Sequence, residues 1–114
     1  MYIVGGLVYI TQGSVMSGQT SQHVPGKRRQ GGDEVHGRVC RAFGKVLKAA
    51  RTQSGMSQQT LAEGAGADRS YLSMLERGLQ QPTLAMLLRI AKALSTQPEQ
   101  LVIATVERLE KDAA

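Results

Sequence analysis

Two short helical patterns meet at a glycine in the segment from Gln58 to Gly78, QQTLAEGAGADRSYLSMLERG. Aliphatic residues recur at helical spacing on both sides of this glycine, Gly66, where the backbone has to turn sharply. Glycine adopts a positive φ at little cost, so Gly66 suits that turn. Ala62 lies where the two helices have to cross closely, and its small side chain permits the crossing. The segment therefore constrains the fold to two short helices held at a fixed angle.

Helical spacing continues on both sides of this segment, from Arg38 to the end of the chain, and no stretch in this region alternates as a strand does. The pattern predicts five short helices and an all-α fold, with Pro98 in the first turn of the last helix. The residues suited to helix starts and ends are Ser57, Asp68, Thr83, Gly55, Gly66 and Gly78. The apolar residues that share the helix faces are Val39, Phe43, Val46, Leu47, Ala50, Leu61, Ala62, Ala65, Leu72, Leu75, Leu84, Leu87, Leu88, Ala91, Leu94, Leu101, Val102, Val106 and Leu109.

The composition changes near position 37. Residues 11–37 are rich in Gly, Ser, Gln and Thr and carry almost no periodic apolar residues, so they cannot bury enough surface to offset the entropy of ordering. The sequence therefore predicts a flexible tail over residues 1–37 and a domain over residues 38–114. Met16 is a second candidate for the start of the chain. The run KRR, Lys27 to Arg29, is either a basic arm that follows DNA or a solvated linker.

The apolar segment YIVGGLVYI, Tyr2 to Ile10, is about half as long as a membrane-spanning helix needs to be. No basic stretch precedes it, as one would in a signal peptide. We expect either a disordered start or a β-prone arm that adds to another chain. The sequence predicts no membrane contact.

The charge balance restricts the classes of partner. The chain has 114 residues, a formal net charge of +5 and a pI of about 9.8, which is compatible with a polyanionic partner. Aromatic residues make up only 4% and Trp is absent, which argues against a stacking surface for single-stranded nucleic acid. Cys40 is the only cysteine, so a disulfide within the chain is excluded and a reducing cytoplasm is the expected setting.

The residues that carry chemistry in enzymes do not form a familiar pattern. His23, His36 and Cys40 have the residue types of metal ligands, but their spacing fits no known site and a fourth ligand is missing. No carboxylate pair, Ser-His or Cys-His arrangement or phosphate loop stands at a usable spacing. We therefore expect no metal, no cofactor and no enzymatic activity.

The turn of about three residues between the second and third helices, with its glycine, is typical of a helix-turn-helix motif. Apolar residues on one face hold both helices against the core, which leaves a polar face of the third helix turned outward. A rigid helix with a polar N-terminal end fits the DNA major groove and can read base edges there. The outward residues are Asp68, Arg69, Ser70, Ser73, Met74 and Arg77.

The stretch SQQTLAEGAGADRSYLSMLERG, followed by LQQPTLAMLLRIAKAL, resembles the Cro and phage-repressor type of helix-turn-helix regulator, the XRE family. The likeness covers about Phe43 to Val102. It implies a five-helix domain of the lambda-repressor type that dimerises and binds a two-fold operator. DRSYLSMLERG followed by TL is particularly similar to the controller proteins of restriction-modification systems, and many other XRE regulators share it. Gly64 departs from the family pattern, and we expect it to weaken the end of the second helix by up to about 1 kcal/mol.

By this resemblance, base contacts map to the start and outer face of the third helix. Phosphate contacts map to the start of the second helix and the loop after the third. Related proteins also pair an arginine of the first helix with a glutamate of the third, and Arg51 and Glu76 occupy those places. The implied base-reading residues are Asp68, Arg69, Ser70, Ser73 and Met74. The implied phosphate-binding residues are Ser57, Gln58, Gln59 and Arg77.

Several of these residues have a second interpretation. Arg69 either binds guanine O6 and N7 in a bidentate way, or contacts a phosphate or stays solvated. Asp68 either accepts a hydrogen bond from cytosine N4 or caps the third helix. Ser70 is short and reaches either a base or only a phosphate. Met74 either meets a thymine methyl group or packs on the neighbouring turn.

The expected partner is double-stranded DNA, with occupancy of an operator blocking or recruiting RNA polymerase. The fifth helix carries apolar residues on more than one face, so we expect a homodimer through that helix. The two reading helices would then lie about one DNA turn apart, roughly 34 Å. The alternative is an antitoxin, or another module that binds a protein such as a toxin or a polymerase subunit, with DNA binding secondary.

Overall fold

The structure is a computed structural model that describes residues 2–4, 7–9 and 28–113, with side chains from Glu34 onward. The chain divides into two units, Met1–Glu34 and Val35–Ala114. The second unit contains the positions where the sequence predicts function. Met16, His23 and Lys27 lie outside the described residues, and so does the rest of the stretch from 10 to 27.

Two short strands lie at the start of the chain. Strands β1 (Tyr2–Val4) and β2 (Leu7–Tyr9) pair in antiparallel register, with Tyr2 opposite Tyr9 and Ile3 opposite Val8. The sequence places two glycines between them, which is a common hairpin signal. The strands thus pair with each other, whereas the sequence was expected to give a disordered start or an arm for another chain.

Five helices follow within residues 28–113, as predicted, and they confirm the all-α helix-turn-helix class for the domain. Among the described residues, no helix is both long enough and apolar enough to cross a bilayer. The helices are α1 (Arg28–Gln53), α2 (Gln58–Ala65), α3 (Arg69–Glu76), α4 (Leu84–Ala93) and α5 (Pro98–Ala113).

Helix α1 begins at Arg28, whereas the sequence predicted a flexible tail up to residue 37. Extending an existing helix adds one hydrogen bond for each residue that is fixed, so extension is far easier than starting a new helix. The composition of residues 11–37 and their lack of periodic apolar residues predicted a non-helical stretch, but each glycine in a helix costs only about 1 kcal/mol. Arg28 and Arg29, proposed as part of a basic arm or linker, are therefore helical residues.

Local signals set most of the other helix boundaries. The Thr60 N–H donates to Ser57 Oγ at 3.0 Å, and the Met86 N–H donates to Thr83 Oγ1 at 3.0 Å, so both predicted N-caps are confirmed. Gly66 ends α2 with a φ of 71°, in the left-handed region that its position requires.

The core lies between all five helices of the second unit. Leu47, Leu61, Leu72, Leu75 and Ile90 are completely buried, which joins α1, α2, α3 and α4 in one hydrophobic cluster. α5 contributes Leu101. The aliphatic periodicity of the sequence predicted most of these positions, because one buried stripe per helix is what that spacing produces. In α4 the prediction was partly wrong: Met86 and Ile90 are buried, whereas Leu84 and Leu88 are exposed.

Gly44 marks the closest approach between α1 and α3. A Cβ atom at this position would lie 2.6 Å from the carbonyl oxygens of both Leu75 and Glu76. Backbone oxygens cannot move aside as the end of a side chain can, so only glycine fits. Sequence periodicity did not indicate this contact, because a glycine inside a helix indicates only a lower helix propensity.

We expect Gly44→Ala to lower the free energy of unfolding by about 2–3 kcal/mol, because the added methyl group pushes α3 away from α1. Gly37→Ala is the matched control on the same helix. Its Cβ would meet only Arg41 Nη1, at 3.3 Å, which is the mobile end of a long side chain. The control should gain up to about 1 kcal/mol from helix propensity. Urea unfolding followed by circular dichroism measures both, and equal stability of the two variants would contradict the prediction.

Candidate nucleic-acid interface

Helices α2 and α3 form the predicted helix-turn-helix, joined by residues 66–68. The Ala67 N–H donates to the Ala62 carbonyl at 2.9 Å across the turn, and Ala62 itself is fully buried. Leu72 and Leu75 hold the inner side of α3 against the core. The opposite side of α3 is turned to solvent.

The predicted base-reading residues share that outward side. Asp68, Arg69 and Ser70 are exposed at the start of the helix, and Ser73 and Met74 are half-buried one turn later. Met74 Sδ lies 3.8 Å from Gln80 Nε2, so its sulfur faces the segment that follows α3. This contact lies in the loop after α3, and both interpretations of Met74 stay predictions.

Asp68 occupies the N-cap position of α3 but does not cap it with its side chain. Its backbone is extended, at φ −82° and ψ 148°, and its carboxylate accepts no capping hydrogen bond. The expectation that the Asp68 side chain caps α3 is therefore wrong for this structure. The carboxylate stands exposed next to Arg69 at the tip of the helix.

The predicted phosphate-binding residues of α2 already hydrogen-bond within the protein. Ser57 Oγ accepts from the Thr60 N–H and donates to Thr60 Oγ1, both at 3.0 Å. One N–H of the Gln59 amide is donated to Glu63, at 2.9 Å. One N–H of the Gln58 amide is donated to Glu76 Oε1, also at 2.9 Å. An amide nitrogen carries two N–H groups, so each glutamine keeps one for another acceptor.

Arg51 and Glu76 are brought together as the resemblance implied. Arg51 Nε donates to Glu76 Oε2 at 2.5 Å, and Nη2 donates to Oε1 at 3.1 Å, in a bidentate pair. The side chains are only 12% and 3% exposed. Arg51 Nη1 also donates to the Met56 carbonyl at 2.8 Å. The hydrogen bonds to Glu76 raise the pKa of Arg51, and this effect exceeds the lowering caused by burial.

The pair and its neighbours form one network across three helices and one loop. Arg51 comes from α1, Met56 from the loop after it, Gln58 from the first residue of α2 and Glu76 from the last residue of α3. The family resemblance implied the ion pair. It did not indicate the hydrogen bond from Gln58, which depends on how the two helices cross.

Charges on the helix-turn-helix itself nearly cancel. Residues 58–77 contain two cations, Arg69 and Arg77, and three carboxylates, Glu63, Asp68 and Glu76. Arg51 neutralises Glu76 from α1. The remaining two cations and two carboxylates sum to zero, so the surface that faces outward at α3 has little net attraction for a polyanion.

Gly64 has a packing role that the sequence did not reveal. Its Cβ would lie 3.1 Å from Ala93 Cβ, so the missing side chain lets α2 approach α4 closely. The departure from the family pattern thus coincides with a close approach of two helices. Because the partner lies in a different helix, no local pattern predicts it.

His36, Cys40 and Gln81 form a small cluster beside the loop that leads to α4. Gln81 Nε2 lies 3.0 Å from His36 Nδ1, and Cys40 Sγ lies 3.4 Å from His36 Nε2. Burial raises the pKa of the Cys40 thiol. In the part of the chain that the structure describes, no three or more His, Cys, Asp or Glu side chains converge as metal ligands would.

Known proteins of similar sequence share this helix-turn-helix segment. Residues 47–101 match the family model described as Helix-turn-helix. Control protein C.BamHI of Bacillus amyloliquefaciens is 38% identical over 61 residues, which covers 53% of this chain and 75% of that protein. The chain spans only 43% of the length of an uncharacterised helix-turn-helix transcriptional regulator of Mycobacterium tuberculosis that is 38% identical to it.

Two solved structures show the same arrangement of helices. The restriction-modification controller protein C.AhdI from Aeromonas hydrophila is 42% identical, with a TM-score of 0.53 over 54% of this chain and 94% of that chain. The controller C.Esp1396I is 27% identical, with a TM-score of 0.57 over 62% of this chain and 93% of that chain. The latter structure is a tetramer in complex with its natural 35 base-pair operator.

We expect Glu76→Gln to lower the free energy of unfolding by about 3 kcal/mol, because it leaves the buried Arg51 charge without a counter-ion. Glu63→Gln is the matched control, since Glu63 is an exposed glutamate on α2 and also accepts a glutamine N–H. Its effect should stay within about 0.5 kcal/mol. Chemical denaturation of both variants measures the difference. Similar losses in the two would show that the buried pair has no special role.

Proposed function

The chain belongs to the helix-turn-helix family, as the motifs of its sequence predicted, and on this premise we propose that it is a transcriptional regulator that binds a two-fold DNA operator in the major groove. The observation that carries the proposal is the two-sided α3. Leu72 and Leu75 fix one side in the core, and the other side presents Arg69, Ser70 and Ser73 outward. A helix anchored in this way can present side chains to base edges at a defined depth.

Arg69 is the proposed main base reader. It is exposed at the first residue of α3, where the helix end can enter the groove, and a guanidinium matches guanine O6 and N7. Asp68, beside it, makes no capping bond and so can accept from cytosine N4. Ser70, Ser73 and Met74 complete the reading row, although Met74 also contacts the segment after α3.

Phosphate contacts are proposed for Ser57, Gln58, Gln59 and Arg77. Backbone N–H groups at the start of a helix favour anions, and the α2 start supplies them. Gln58 can donate its second amide N–H to a phosphate while the first stays on Glu76. A phosphate held there would be connected, through Glu76, to the last residue of the reading helix. Arg77 is exposed directly after α3 and adds a direct charge.

Dimerisation through α5 is proposed from an exposed apolar surface. Val102 on α5 is 46% exposed, and Leu84 and Leu88 on α4 are 72% and 49% exposed. A groove of about 290 Å³ beside Val102 is lined mainly by apolar side chains of α1, α4 and α5, including Phe43 and Leu87. Large apolar side chains exposed together mark an association surface. A second copy would place two α3 helices on one face of the duplex, as a two-fold operator needs.

A module that binds a protein partner, with DNA secondary, is the other candidate. The same exposed apolar residues that suit a second copy also suit a toxin or a polymerase subunit. The operator complex of the related controller C.Esp1396I supports the DNA-binding function over this alternative.

We expect selection of bound duplexes from a random pool to yield a two-fold motif. Arg69→Ala should relax one position in each half-site and weaken binding by about 1–3 kcal/mol, because it removes a bidentate base contact. Arg89→Ala is the control, since it removes the same exposed side chain from α4. Unchanged affinity and motif in Arg69→Ala would favour the protein-binding alternative.

We expect Val102→Glu to dissociate the proposed dimer, because each subunit would bring an unpaired carboxylate into an apolar contact. Sedimentation at micromolar concentration measures the effect as a shift from dimer to monomer. Ala49→Glu adds the same charge at an exposed position of α1 and should leave the dimer intact. A wild-type chain that sediments as a monomer would contradict the dimer itself.

A further inference from the structure

The positive charge of the second unit lies mostly away from the reading helix. From Val35 onward the chain has eleven Lys and Arg and seven Asp and Glu, an excess of four cations, whereas charges around α2 and α3 cancel. Sequence-independent affinity for duplex DNA comes from cations that neutralise phosphates. The stretch from Val35 to Gly55 supplies five cations and no carboxylate. One of the five, Arg51, is occupied by Glu76, which leaves four on the surface of α1.

Three of these cations line one groove. Arg38, Arg41 and Lys45 are exposed and lie at i, i+3 and i+7, so they share one face of α1 over about 10 Å. They line a groove of about 450 Å³ together with Leu109 and Asp112 of α5. Lys45 is partly neutralised by Asp112, at 3.5 Å. Among the described residues, neither arginine forms a salt bridge.

Two glycines leave room for the Arg41 side chain. A Cβ at Gly37 would lie 3.3 Å from Arg41 Nη1, so the absent side chain leaves room for the guanidinium to lie along α1. A Cβ at Gly78 would lie 3.0 Å from Arg41 Cγ. Gly78 directly follows Arg77, the residue proposed to contact phosphate at the end of α3. The basic face of α1 therefore continues directly from the end of the reading helix.

We propose that Arg38, Arg41 and Lys45 form a phosphate track that holds the duplex beyond the base pairs read by α3. This inference rests on the proposed function. The loop from Leu79 to Thr83 contains no cation, so this part of the molecule has to obtain its positive charge from α1. The arginines carry most of the effect, because Asp112 competes with phosphate for Lys45.

The test compares two double variants of the full chain. Arg38→Ala/Arg41→Ala removes two cations from the track, and Arg89→Ala/Lys92→Ala removes two exposed cations from α4. Affinity is measured by fluorescence anisotropy over a range of salt concentrations. The probes are the duplex recovered by selection, with and without about ten flanking base pairs at each end, one helical turn.

The slope of log affinity against log salt is negative, and the track variant should reduce its magnitude by about 0.9 for each arginine in each subunit. The loss should appear with the flanked duplex and be small with the short one. The α4 variant should leave the slope nearly unchanged with both. Arg38→Gln/Arg41→Gln repeats the measurement with side chains that keep helix propensity, in case the alanine variant unfolds.

Equal slopes for the track and α4 variants on the flanked duplex would overturn the proposal. An equal loss on the short and flanked duplexes would also overturn it, since the contacts would then lie within the read site. Unchanged DNA slopes together with lost binding of a fluorescein-labelled glutamate-rich peptide would assign the groove to an acidic protein segment instead. If Arg69→Ala has no effect while the track variant lowers the slope, the proposed base reading fails and the phosphate track stands.

Discussion

The buried pair of Arg51 and Glu76 fixes the position of the reading helix, and the proposed DNA interface depends on it. The bidentate contact joins α1 to the last residue of α3, and Gln58 brings the start of α2 to the same carboxylate. A buried ion pair adds little net stability, because desolvation offsets most of its attraction. The pair mainly restricts geometry. A planar guanidinium donates two hydrogen bonds to a carboxylate in few orientations, so the end of α3 is held at one angle. The close contact at Gly44 acts on the same end of α3 and reinforces this restraint.

The sequence predicted those parts of the fold that depend on neighbouring residues. Caps at Ser57 and Thr83, the left-handed Gly66 and the buried stripes of α2 and α3 follow from interactions within a few positions, and all are present. The stripe of α4 was predicted less well, because Leu84 and Leu88 lie outside the core and Ile90 lies in it. The extended start of α1 was missed, because the prediction rested on composition and apolar periodicity, and neither reflects the low cost of lengthening an existing helix. The contacts of Gly44 and Gly64 were missed for a different reason. A missing side chain becomes informative only when the partner helix is known.

The candidate site likewise has features that the sequence predicted and features that it did not. The outward positions of α3 followed from the spacing of its buried residues, and the family resemblance supplied the Arg51–Glu76 pair. The failure of Asp68 to cap α3 was not visible in the sequence, because the choice between a capping bond and an exposed carboxylate depends on the rotamer. The hydrogen bond from Gln58 to Glu76 was equally hidden. Both details bear on chemistry, since they decide which donors and acceptors are open to a ligand.

The buried side of α3 is constrained by packing and the outward side is not, and this difference affects how such a chain can change in evolution. Substitutions at Leu72 or Leu75 disturb a core shared by five helices, whereas Arg69, Ser70 and Ser73 contribute almost nothing to that core. The outward residues can therefore be substituted while the fold stays intact. Duplicated copies of such a gene would be free to acquire different binding preferences with very few replacements, and their shared architecture would persist long after their targets had diverged.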